Sequence, residues 1–447
     1  MTPQQTVERA NRDGLALVRF LYCDNANIVR GKSVVTSKLA DFLEAGIGLT
    51  KAMQGFTPTE HIATDATVGP VGEIRLVPAR ETFASLPYAP RQGAMLCDML
   101  TLDGDPWELC PRSTLKRVLV SAAAQGLEFL VGFEHEFYLL SRVGDAWAPY
   151  DRSLCFSTTG MNSAAPVILE ILDALQAQGL EPVQYYPELG PGQQELSIQH
   201  RSALQAADDA VIARETIRGV AANHGLGATF APKPFIDQAG NGSHIHVSGW
   251  KDGENAFYSS TDPLGLSPLA YSFIAGILQH LPGLLALTCP SLNSYLRLAP
   301  GMWSSAFVCY GPDNREAAVR IASPFEGREQ ASTNIELKAI DGSANPYLAL
   351  AGVIAAGLDG VQRNLNPGEA VLTNPGALTD EQRERAGIRR FPTSVLEADR
   401  ILQTDAVLME AIGPAIVAEA LAVRRSEVAD LDGLEPREQA KRYLSLY

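Results

Sequence analysis

Acidic residues placed at even spacing inside apolar runs constrain this chain more than any other feature of it. The segment GFEHEFYLL carries Glu134 and Glu136 two residues apart, between Phe133 and Phe137. A strand alternates its faces with a period of two, so the glutamates share one face and Phe133, His135 and Phe137 take the other. His244 and His246 in GNGSHIHVS, and Glu336 and Lys338 in NIELKAI, follow the same rule. Glu188 and Glu195 flank the glycine-rich turn of PELGPGQQEL. Glu134, Glu136, Glu188, Glu195, His244 and Glu336 thus offer five carboxylates and one imidazole. On converging strands these groups would repel one another unless cations neutralised them. The donors are hard, include no thiolate and are too many for one octahedral ion. That points to two Mg²⁺ or Mn²⁺ ions and to phosphoryl-transfer chemistry.

At 447 residues the chain can build one large domain and a smaller one, and a 46% hydrophobic, 19% charged composition is that of a globular protein. A net charge of −15 argues against nucleic acid or an anionic membrane as partner. The six cysteines form no C-x-x-C pair, so reduced thiols and a cytoplasmic location are expected. The N-terminal MTPQQTVERANRDG has no apolar core of a signal peptide, and Leu348–Leu358 reads as a buried helix too short to span a bilayer.

The pattern predicts an α+β fold. Residues 14–22 alternate like a strand, and Asp24-Asn25 turns them into a hairpin with VRGKSVVTS. A short helix over Leu39–Glu44 ends at Gly46, and EIRLVP and AMLCDML read as strands, so residues 1–98 form a small domain and 99–447 a larger one. Ser113 is expected to cap a helix that stops at Gly126. Further helices are expected over 161–178, 202–224, 267–286 and 345–362, with a mostly helical tract over 378–444.

Arg297, Arg315 and Arg320 fall among apolar neighbours in NSYLRLAPGMWSSAFVCYGPDNREAAVR, where arginines pair with acids or bind oxyanions. Taken in order, GFEHEF, PELGPGQQE, GSHIHVS, NSYLRLAPG, DNREAAVRI and NPYLALAGVIAAGLDG resemble the glutamine synthetase family, with a weaker match at VRFLYCDNANIVRGK. The resemblance implies a β-grasp N-terminal domain and a catalytic domain built on an antiparallel sheet flanked by helices. It further implies ATP as substrate and active sites between subunits of a ring, most often a double hexamer. By position, Glu136, Glu188 and Glu195 would hold one metal, and Glu134, His244 and Glu336 the other. His246 and Ser248 would face the nucleotide, Gly240 and Arg297 the substrate glutamate, and Arg315 and Arg320 the transferred phosphoryl group.

The departures from the family pattern concern the nitrogen substrate. Members that use ammonium carry a flap glutamate where this chain has Trp303, and an aspartate from the neighbouring subunit where it has Thr50. Losing both removes the carboxylates an ammonium ion needs and brings an aromatic ring into the pocket. That pattern resembles the branch that makes γ-glutamyl amides from organic amines. Glutamine synthesis from ammonia, and a non-catalytic structural ring, are the alternatives. Lys338 and Asn334 each replace an arginine, near the substrate and near the nucleotide. Glu60 and Asp65 are candidates for the missing acid by nearness in sequence to Thr50. No tyrosine lies in 369–378, so adenylylation at the family's usual place is not expected.

Overall fold

A computed structural model describes residues 1–447. The opening hairpin forms as the alternation predicts: Leu17–Cys23 pairs antiparallel with Val29–Val35, Cys23 opposite Val29. Asp24 holds the turn by accepting from the backbone N–H groups of Ala26 and Ile28 (2.9 and 2.8 Å). Leu17–Cys23 also lies parallel to Gln92–Leu100, which pairs in turn with Glu73–Pro78 and, through it, with Ile47–Thr50. The result is a mixed six-stranded sheet. The sequence reading missed the helix Pro3–Arg12, which Thr2 and Gln5 start with a reciprocal capping box.

The larger sheet has eleven strands. Its main path runs Tyr310–Pro312, Val319–Ile321, Ile335–Leu337, Ser243–Lys251, Glu128–Val143, Gln193–Ile198 and Pro182–Pro187. Every pairing on that path is antiparallel except the first. The expected helices appear as Thr158–Ala177, Ala203–Asn223, Pro268–Thr288 and Pro346–Gln362, and five helices fill most of 380–443. The helix that Ser113 was expected to cap begins three residues earlier, at Pro111 with Cys110 as its cap. Proline at the first helical position has its φ preset and no N–H to leave unpaired, which outweighs the better capping side chain further on.

Phe133, His135 and Phe137 point into the core, and the helix Ala203–Asn223 packs behind their strand. Pro268–Thr288 is long and apolar enough to cross a membrane, yet it packs in the interior against Pro346–Gln362. The two helices touch where Gly276 meets Gly360; a Cβ on Gly276 would sit 2.1 Å from the Ala356 carbonyl oxygen. Only glycine permits that approach.

One apolar cluster of 76 buried residues runs without a break from Val18, Phe20 and Met95 in the small sheet to Leu421 near the C-terminus. Polar links cross the same boundary. Arg112 makes a two-pronged pair with Asp208 (2.9 and 2.8 Å) and reaches Asp98 on the small sheet (2.9 Å). Asn27 donates to the Gly342 carbonyl (3.0 Å), and the Tyr447 hydroxyl to that of Ala26 (2.9 Å).

Candidate active site

Strand register explains why residues far apart in sequence meet. Glu195 lies opposite Glu136, His244 opposite Glu134, His246 opposite Glu336, and Arg320 opposite Glu336. Directly opposed residues in antiparallel strands project from the same face, so a band of charge crosses five strands. Glu188 joins it at the tip of the hairpin between Pro182–Pro187 and Gln193–Ile198, where its backbone N–H donates to the Gln193 carbonyl (2.9 Å).

The band floors a cavity of about 540 Å³. All six proposed metal ligands line it, together with Gly240, Arg297, Trp303, Arg315, Arg320 and Lys338. Three of the sequence-selected residues lie outside its lining. His246 stands beside it, its Nε2 3.4 Å from a Glu134 oxygen. Ser248 follows on the same strand face, but its hydroxyl accepts from the Trp250 indole N–H (2.9 Å). Thr50 sits exposed at the end of a strand in the small sheet, paired with Glu73. Within the single chain Glu60 and Asp65 also lie outside the cavity of their own subunit: Glu60 pairs with Arg30 (2.9 Å) and Asp65 with Arg425 (3.3 Å). Both are drawn to basic residues of their own chain.

Glu134, His244 and Glu336 bring one ligand atom each within 4.8 Å of one another, as a shared ion requires. His244 is buried and its pKa falls, first through desolvation and then through Lys338, which leaves the ring neutral and able to ligate. Burial opposes charge on Glu336 too, yet Lys338, both histidines and Arg320 bring its pKa down to about 2. His246 is held up at about 9 despite burial, by Glu134 and Glu336, and its Nδ1–H can donate to Asn334 (2.8 Å).

Glu188 and Glu195 behave in the opposite way. Burial and repulsion from Glu136 raise Glu188 to about 7, and burial with the charges of Glu136 and Glu134 raises Glu195 to about 9. No basic side chain forms an ion pair with either. Glu195 instead accepts from the Tyr186 hydroxyl, and Glu136 from the Gly242 N–H (2.8 Å). Acids crowded this way, with oxygen donors aimed into one space, fit a hard divalent cation.

Arg297 is only 3% exposed and is fixed from behind by the Ile340 carbonyl (3.1 Å) and the Lys338 carbonyl (3.4 Å). It lies so close to the glycine loop that a Cβ on Gly240 would be 2.9 Å from its Cγ, and one on Gly242 2.8 Å from its Nη2. Arg315 is exposed at the rim and Arg320 half-buried beside Glu336 (2.6 Å).

The structure adds residues that sequence reasoning did not select. Phe156, Met161, Tyr186, Leu189 and Met302 also line the cavity. Phe156 stands edge-on to Tyr186 with ring centroids 4.9 Å apart. Glu316, 5% exposed, accepts from the backbone N–H groups of Trp303 (2.9 Å) and Gly301 (3.2 Å). It thereby holds a segment in which Trp303 and Ser305 have φ of 57° and 66°. The signal for some of them in the sequence was adjacency: Leu189, Met302 and Glu316 directly neighbour Glu188, Trp303 and Arg315, and Tyr186 lies two positions before Glu188.

Comparison with known proteins accounts for nearly the whole chain. Residues 1–107 match the glutamine synthetase N-terminal domain, and 108–443 the glutamine synthetase catalytic domain. The chain is 37% identical over 427 residues to a gamma-glutamylpolyamine synthetase of Streptomyces coelicolor, covering 94% of this chain and 91% of that one. It is 32% identical over 446 residues to a glutamine synthetase of Methanocaldococcus jannaschii, covering 96% and 95%. Among solved structures it superposes on a novel glutamine synthase homolog with a TM-score of 0.87 at 33% identity, over 97% of this chain and 99% of that one. A GmaS/ADP complex follows at 0.85 and 31%, over 96% and 97%. With matching motifs, register and fold, this chain is a ligase of the glutamine synthetase family.

Proposed function

We propose that the enzyme joins the γ-carboxylate of glutamate to an organic amine, at the expense of ATP and through a γ-glutamyl phosphate. The observation that carries this reading is Trp303. It stands in the cavity wall where ammonium-using relatives have a glutamate, and every carboxylate that does line the cavity belongs to the six proposed metal ligands. An ammonium ion entering there would be stripped of water with no free counter-charge, at a cost of several kcal/mol. An organic amine offsets that cost by burying carbon against the indole.

Glu136, Glu188 and Glu195 would hold one divalent ion, and Glu134, His244 and Glu336 a second. When bound, the ions draw charge from the phosphates and polarise the bond being broken. Arg297 and Gly240 orient glutamate, with Lys338 beside them. His246, cationic, and Ser248 serve the nucleotide. Arg320 steadies negative charge as the carboxylate attacks the γ-phosphate, and Arg315 does so as phosphate leaves. In the assembled ring, a double hexamer by family analogy, Thr50 would approach the Trp303 pocket of the next subunit.

The similarity to a gamma-glutamylpolyamine synthetase supports an amine substrate, whereas the methanogen relative bears the name glutamine synthetase. The test is ADP release with glutamate plus either ammonium or a panel of amines. We expect at least one amine to give a higher kcat/KM than ammonium. Preference for ammonium over every amine would overturn the amine assignment and leave the ligase assignment standing.

A further inference from the structure

Four of the sixteen large apolar side chains exposed on the single chain line the cavity. They are Phe156 (60% exposed), Leu189 (64%), Met302 (50%) and Trp303 (62%). Apolar side chains of this size are costly to hydrate, and when they gather at the mouth of a polar cavity they mark what is bound there. The wall they form has a fixed inner end. Phe156 packs edge-on against Tyr186, and the Tyr186 hydroxyl donates to Glu195 in the carboxylate cluster. An amine whose nitrogen points at the reacting carbonyl would therefore lay its body along this wall.

Charge decides what that body can be. The acids lining the cavity are Glu134, Glu136, Glu188, Glu195 and Glu336, all committed to metal. Its other charged residues are cationic: Arg297, Arg315, Arg320 and Lys338. Within one subunit a second ammonium on the amine would find no free carboxylate and would meet like charge, and Thr50, which the next subunit would bring to the pocket, carries no charge.

We propose that the cavity selects a monoamine with an apolar body, several carbons long or aromatic, and discriminates against di- and polyamines. This rests on the ligase reading above and names its nitrogen substrate. Each methylene laid on the wall should raise kcat/KM roughly fourfold, the transfer value of one CH₂. The unpaired second charge of a diamine should lower it by roughly tenfold or more.

The experiment measures kcat/KM for propylamine, butylamine, hexylamine and benzylamine against 1,4-diaminobutane, 1,6-diaminohexane and spermidine. ATP and glutamate are saturating, and products are identified by mass. The expected result is a rise along the monoamine series and hexylamine well above 1,6-diaminohexane. Calorimetric titration of the ADP-bound enzyme with the same amines gives a readout without turnover, a binding heat capacity that grows more negative with chain length. Met302→Glu, which places a carboxylate at the mouth, should move the ratio toward the diamines.

Preference for diamines or spermidine in the wild type would overturn the proposal alone. So would a flat monoamine series in which Phe156→Ala changes only the sedimentation of the protein, because the apolar mouth would then be a contact with a second copy of the chain. No ADP release with any amine or with ammonium would overturn the ligase reading itself.

Discussion

Glu316 offers the sharpest single perturbation. It is buried, and its two carboxylate oxygens accept from the backbone N–H groups of Trp303 and Gly301. Hydrogen bonds to a charged acceptor contribute about 1.5–3 kcal/mol each. Glu316→Gln keeps one carbonyl oxygen but turns an amide N–H₂ toward the second donor, so about one such bond is lost and one repulsive contact made. If that energy holds Trp303 in place, the amine KM should rise roughly ten- to hundredfold, the equivalent of about 1.5–3 kcal/mol. The KM values of glutamate and ATP should change less, because Gly240 and the metal ligands belong to other segments and Arg297, although it precedes Gly301 in the same segment, is anchored separately by the Ile340 and Lys338 carbonyls. Steady-state kinetics with each substrate varied in turn gives the three constants, and a melting curve shows whether the variant is folded. Glu316→Asp, which keeps the charge, should recover part of the loss. If all three KM values stay at wild-type levels while only the melting temperature falls, Glu316 supports the fold and has no part in placing Trp303.

Three further outcomes are expected. Glu136→Ala or Glu195→Ala should abolish one class of Mg²⁺ or Mn²⁺ binding seen by calorimetry and eliminate turnover, whereas undiminished binding would refute the proposed ligand set. Asp208→Ala should leave Arg112, 3% exposed, with Asp98 but without its two-pronged partner, at a cost below the ~3–5 kcal/mol of a wholly unpaired buried charge, and so below about 3–5 °C in melting temperature for a chain of this length. Replacing Arg112 and Asp208 together by Met and Leu should restore most of it; two additive losses would show that the pair is not coupled. His280 is buried between Asp405 (2.7 Å) and Asp359 (3.0 Å), the latter also paired with Arg363, and against burial these acids raise its pKa. A raised folded-state pKa stabilises fully below the ordinary histidine value and loses that contribution as pH climbs through the raised one. The gap in melting temperature between wild type and His280→Asn should thus be wide at pH 6 and narrow at alkaline pH, and a gap independent of pH would contradict this.

Regular periodicity made much of the protein legible. The glutamates of GFEHEFYLL, two residues apart, fixed which face of the strand turns to the cavity, and the long apolar helices appeared within about three residues of where they were expected. Elements set by local chemistry were harder to see. Pro3–Arg12 is mostly polar and is held by a cap, so it has no strong apolar stripe to announce it. Phe156 and Met302 come to the cavity through loops, and Phe156 and Trp303 have positive φ, which no spacing rule encodes. Glu60 and Asp65 were selected by nearness in sequence to Thr50, and in the single chain each forms an ion pair at the surface, with Arg30 and Arg425.

The apolar cluster that runs from Val18 to Leu421 has a bearing on inheritance and engineering. The two family domains align as separate segments, yet neither carries a whole core, so they form one thermodynamic body. A chimera that takes residues 1–107 from a relative would import one part of a shared interior. To fold, it would also need the partners of that part, among them the Gly342 turn that receives Asn27, the Arg112 that reaches Asp98, and the C-terminal tyrosine that reaches Ala26. Changes on the two sides of the seam should therefore be traded as matched sets, and a catalytic segment expressed alone should expose the face it shares and aggregate.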